Sequence, residues 1–145
     1  MQKASEQAAV VATIDPDAYT AAAYTSDWVA DGDFHKVMAV LCVGEMQATS
    51  TVDLKLQEAT DASGTGAQDL SGYAITQLTQ AGSDSDKQAI IEIATDALSD
   101  GFTHVAAVMT VGTAASDAGV TILGVDGRYG PASDSDLASV AEIVG

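Results

Sequence analysis

Between residues 35 and 125 the chain repeats one design: a strand-length apolar or alternating run, then a short break rich in glycine, aspartate and serine. "HKVMAVLCVG" (35–44) is apolar on both faces, as expected of a central strand covered on both sides. "TVDLKLQEA" (51–59) sets Val52, Leu54 and Leu56 on one face and Asp53, Lys55 and Gln57 on the other, the pattern of a half-buried strand. "KQAIIEI" (87–93) turns Ala89, Ile91 and Ile93 inward. "THVAAVMTVG" (103–112) is a second long apolar strand, "GVTILGV" (119–125) follows it, and "YAITQL" (73–78) fits a shorter edge strand. The breaks "DASGTGAQD", "QAGSDSD", "LSDGF" and "GTAASDAG" supply positive backbone angles and local side-chain hydrogen bonds. Strands joined by such turns, with no long amphipathic helix between them, predict an all-β fold: a single antiparallel β-sandwich, with the jelly roll as its leading version.

The ends are less regular. Residues 1–33 are alanine-rich, fit neither period beyond Pro16, and hold Tyr19, Tyr24 and Trp28. They read as an N-terminal arm that docks through its aromatics, set before a sandwich domain of residues 34–145. The alternative is an ordinary first strand pair of the same domain. At the other end, "SDLASVAEIV" is either a short helix capped by Ser135, with Leu137, Val140 and Val144 on one face, or an extended tail.

Charge narrows the function. The net charge is -16, from 21 acidic residues against Lys3, Lys36, Lys55, Lys87 and Arg128. Five scattered cations make no phosphate-binding track, which argues against a nucleic-acid partner and against an anionic membrane surface. No stretch reaches the length of a membrane span, and the first residues make a poor signal peptide, so the expected product is a soluble protein made in the cytoplasm. Cys42 is the one cysteine. It rules out an intrachain disulfide, and its apolar run predicts a buried structural thiol.

No motif collects the groups that catalysis needs. "DASGTGAQDL" alternates oxygen side chains only in part, lacks a terminal Glu, and follows a strand rather than a helix, so it reads as a turn rather than a calcium loop. No Lys follows its glycines as a phosphate loop requires. The pairs Asp84 with Asp86 and Asp134 with Asp136 read as solvated turn acids. His35 and His104 each begin an apolar strand without zinc-ligand spacing or a nucleophile elbow. Glu45, Glu58, Glu92 and Glu142 are candidates for a glycosidase pair, but Trp28 is the lone Trp in a chain with few aromatics to line a sugar cleft. The expectation is therefore no enzyme: no catalytic, cofactor-binding or metal residues, and no cofactor. "GRYGPASD" is the most distinctive string. Its Arg128 either forks onto a partner's carboxylate or carbonyls, with Tyr129 at the same contact, or satisfies carbonyls of its own loop. The interface candidates are Tyr19, Tyr24, Trp28, Arg128 and Tyr129.

The succession "TSDWV" (25–29), the apolar strand with "VG" (37–44), "VDLKLQEATDASGTG" (52–66), "SDKQAIIEI" (85–93), "GFTHVAAVMTVG" (101–112) and "GVTILGVDGRYGP" (119–131) resembles a group of small structural proteins of tailed bacteriophages and prophages, carried among the head genes. The resemblance covers residues 25–131 and lies in strands and turns, with no active-site residue to carry over. It implies a virion component at the capsid surface, made in the host cytoplasm, that decorates and cements the shell. The expected partners are the major capsid protein and the chain itself, as a homotrimer. Rival readings are a neck, tail or fibre component, a carbohydrate-binding module on the virion, and a small hydrolase built on His35 or His104.

Overall fold

The computed structural model describes residues 2–145. Ten strands follow in order: β1 (Ala8–Tyr19), β2 (Ala22–Thr25), β3 (Val29–Ala30), β4 (Phe34–Met46), β5 (Thr51–Ala59), β6 (Gln68–Ala74), β7 (Leu78–Thr79), β8 (Gln88–Ala94), β9 (His104–Gly112) and β10 (Ser116–Gly127). They form two antiparallel sheets, β1-β10-β4-β8 and β2-β9-β5-β6. The short β3 extends the β2 row along β9, and β7 extends the β6 row along β5, so each sheet has four rows.

The pairing follows one scheme. β1 pairs with β10, β2 with β9, β4 with β8 and β5 with β6. The chain is thus a long folded-over hairpin whose apex is the turn between β5 and β6, the "DASGTGAQD" segment. Rolling that hairpin up adds the β10–β4 and β9–β5 pairings and closes the two sheets over each other. This is the jelly-roll arrangement that the strand-and-turn spacing predicts.

Alternation places the core between the sheets. Val37, Ala39, Leu41 and Val43 of β4 and Ile91 and Ile93 of β8 meet Val52, Leu54 and Leu56 of β5 and Val105, Met109 and Val111 of β9. The small residues of β1 and β10, such as Ala12 and Ala118, let the sheets approach closely there. A satellite cluster of Ala9, Phe34 and Ala132 seals one end. Its position requires Gly124, where a Cβ would meet the Phe34 ring at 2.5 Å.

The structure decides between the readings that the sequence leaves open at the two ends. Residues 1–33 are not an arm: β1 is an edge strand of one sheet, and β2 and β3 form an edge of the other. The helical or extended period is hidden because β1 shifts register between Val10 and Ala12 and again between Ile14 and Asp17. Each bulge resets the alternation that a sequence reading depends on. They are strands of the same domain, but not a first strand pair: β1 and β2 lie in different sheets. At the C-terminus a single helical turn covers Ala132–Ser135, and no helix follows. Asp136 Oδ1 accepts from the Val10 N–H at 2.7 Å, and the Leu137 N–H donates to the Val10 carbonyl at 2.9 Å. The segment runs as a tail laid beside β1.

Candidate interaction surfaces

The residues singled out by sequence fall into three separate places. Tyr19 and Tyr24 pack across the β1–β2 turn with ring centroids 4.4 Å apart and planes tilted by 56°. Their hydroxyls turn back on the chain, Tyr19 donating to the Asp15 carbonyl and Tyr24 to the Thr20 carbonyl at 3.0 Å. Burial, then the Asp17 and Asp15 carboxylates, push the Tyr19 phenol up, which keeps it a donor. Trp28 lies over the hairpin apex, where Gly64 has φ +79° and a Cβ would meet the indole Nε1 at 2.7 Å. Arg128 and Tyr129 sit at the far end of β10, roughly 35 Å along the strand from the Tyr19 pairing at Ser116. The five residues therefore do not form one patch.

Arg128 is committed within the chain. Its Nη2 donates to Thr95 Oγ1 at 3.0 Å and its Nε to the Phe34 carbonyl at 3.3 Å. Thr95 Oγ1 in turn donates to that carbonyl at 2.8 Å. The guanidinium thus fastens the end of β10 to β4 and to the turn after β8. Tyr129 beside it is 86 % exposed.

The acidic turns are also spent on their own backbone. Asp61 Oδ1 accepts from the Ser63 and Thr65 N–H groups at 2.9 and 3.1 Å, and these donations hold its carboxyl below the usual range. Asp84 Oδ2 accepts from the Thr79 N–H at 2.9 Å. His104 Nδ1 meets Thr103 Oγ1 at 2.9 Å, and His35 is exposed on β4. Among the described residues no three His, Cys, Asp or Glu side chains converge on a point that suits a metal ion. No helix among them is long and apolar enough to cross a membrane.

The outer faces of the two sheets are unlike each other. That of the β5 sheet is polar and cross-linked: Lys55 bonds Asp69 at 2.9 Å, Gln57 bonds Asp69 at 2.7 Å, and Gln77 bonds Asp53 at 2.7 Å. That of the β4 sheet is apolar at its centre. Register sets Val40 beside Ile90 and Thr121, and Met38 beside Leu123. Ile90 is 59 % exposed, and no element among the described residues covers this row.

Toward the Gly44 end of β4 this face sinks into a concavity of about 680 Å³. Its floor is low because Gly44 and Gly119 bring no side chain and Cys42 brings a short one. The bulge in β1 makes one wall, with Pro16 so close over Gly119 that a Cβ there would lie 3.0 Å from it. Cys42 is exposed here, not buried as its apolar run predicts. The run reads as covered on both sides, but only its Val37, Ala39, Leu41, Val43 face has a sheet packed on it. Sequence reasoning therefore missed this exposed apolar face. The signal was present, since β4 is apolar at both parities and Ile90 stands next to Ile91.

No family model matches the chain, and no curated protein matches it. Two solved structures of infectious bursal disease virus, of the Gx and Gt strains, contain chains that it resembles at 12 % and 11 % identity, with TM-scores of 0.42 and 0.39. The overlap takes in 87 % of this chain but 34 % and 33 % of those chains, so it spans about a third of their length. Likeness at this level assigns neither a family nor a function.

Proposed function

We propose that the chain is a non-enzymatic structural protein of a virion, one that decorates a bacteriophage capsid and stabilises it by bridging shell subunits. The observation that carries this reading is the uncovered apolar outer face of the β4 sheet on an otherwise strongly acidic jelly roll. A soluble domain with one apolar sheet face is built to be packed against something. The fold suits the role, since jelly rolls serve as rigid blocks in viral shells. They also serve in lectins, but a sugar platform needs aromatics gathered on one surface. Here Tyr19 with Tyr24, Trp28 and Tyr129 occupy three separate places.

In this reading the bridging surface is the β4-sheet face rather than a flexible arm, because residues 8–30 are spent on the sheets. The major capsid protein and further copies of the chain, as a homotrimer, are the partners, and the polar, acidic β5 face is turned to solvent, where it keeps particles apart. Quantitative mass spectrometry of purified particles tests it. Decoration requires a copy number comparable with that of the major capsid protein. A few copies per particle would place the chain in the neck, tail or fibre instead, and its absence would remove the virion reading.

A further inference from the structure

We infer that the concavity at the Gly44 end of the β4-sheet face is a docking trough for a cationic strand of a partner protein, one that alternates apolar and basic side chains. The inference rests on the virion reading for the partner's source but on the trough's own chemistry for its character.

The trough pairs an apolar floor with unpaired negative charge. Pro16, Ala18 and Cys42 line it together with the two glycines, and Asp17 and Asp117 stand at it. Among the described residues the ion pairs are Lys36 with Asp126 and Lys55 with Asp69, and neither rim carboxylate has a cation partner among them. Lys36, the cation on the same face, is held by Asp126 at 3.5 Å. Lys87 is exposed just before β8 and is not among the residues that line the trough.

Charge decides between possible occupants. A second copy seated in the trough would set Asp17 and Asp117 against the carboxylates of another chain of net charge -16, which leaves contacts between copies to other surfaces. At physiological salt, charges within about 8 Å of one another are little screened, which covers contacts across an interface. A basic strand has the opposite balance: its cations meet Asp17 and Asp117 while its apolar side chains lie on the floor and continue onto Val40 and Ile90. The Pro16 bulge walls the floor on one side, and the floor runs on along β4 toward Val40, the direction an extended segment would follow.

Area sets the strength. Four strands about 4.8 Å apart and some seven residues of about 3.3 Å rise give the face about 400 Å², half of one side of a standard interface. Docking of one copy is therefore weak, and a stable complex needs many copies on one scaffold or a second contact.

The test is a titration of the isotope-labelled protein with a synthetic eight-residue peptide alternating lysine and valine, followed by amide chemical shifts. Its glutamate–valine counterpart is the control. The lysine peptide is expected to shift Ala18, Cys42, Gly44 and Gly119 and the glutamate peptide to leave them unmoved. Adding salt should weaken the response, and the double variant D17N/D117N should weaken binding by about three- to ten-fold. Asn keeps an acceptor for the Ala18 N–H that Asp17 now holds at 2.7 Å, so the bulge is retained. Equal responses to both peptides, or none to either, would overturn the trough. So would sedimentation showing a dimer that protects the same residues, which would give the face to a second copy. Peptide binding by a protein absent from particles would sink the virion reading alone, whereas abundant particle-bound protein that ignores the peptide would sink the trough alone.

Discussion

Glu58 continues the inward row of β5 after Val52, Leu54 and Leu56, and it is 1 % exposed. A carboxylate there is tolerated because its oxygens are occupied: Oε1 accepts from Gln68 Nε2 at 2.6 Å and Oε2 from the Ser99 N–H at 2.8 Å. These bonds hold the loop that crosses from one sheet to the other against the end of β5. Burial pushes the Glu58 carboxyl up, but the Ser99 and Gln68 donations together outweigh it and leave it below its ordinary value of 4.5. The folded state therefore prefers the ionised form. Its contribution is present above the unfolded value and is lost as pH falls through the lower, folded one. Glu58→Ala strands two donors and should cost about 2–3 kcal/mol in denaturant unfolding at neutral pH. Glu58→Gln should shallow the acid limb of the stability curve. An unchanged acid limb would assign the pH dependence to other carboxylates, such as Asp61 and Asp69, which are also held low.

At the scale of elements, the position of β1 changes what a truncation does. Residues 1–33 supply the strand beside β10 and the edge beside β9. Their removal strips Ala12, Ile14 and Val29 from the core and bares one edge of each sheet. The truncated chain should fail to give a cooperative thermal transition; a folded, monomeric remnant would contradict the pairing. β5 and β8 were legible in the sequence because each has one buried face, so burial writes a period of two into it. β1 was not, because its two register shifts and Pro16 erase that period, and its alanines pack a close sheet contact without announcing a hydrophobic face. The C-terminal segment carries a helical pattern, yet Asp136 and Leu137 spend their hydrogen bonds on Val10, a partner more than a hundred residues away that local pattern cannot reveal. Among the interface candidates, Arg128 was legible as a residue tied to carbonyls but not as to which: Phe34 and Thr95 come from other strands and turns.

The whole molecule is a sandwich with two unequal outer faces: one polar and knitted by Lys55, Gln57, Asp69 and Gln77, one apolar at its centre, with Met38, Val40 and Leu123 half-buried and Ile90 exposed. That asymmetry marks the β4 face as the docking surface, since a free-standing domain gains nothing from leaving such a face to water. Cys42 is a native probe set in it, the chain's one thiol, exposed beside the trough. The most direct measurement is its alkylation rate in the free protein and in purified particles, read by mass spectrometry of the peptide that contains it. The docked face predicts rapid modification when free and strong protection on the particle. Equal rates in both states, with the protein present on the particle, would show that the apolar face stays open to solvent and would contradict the account.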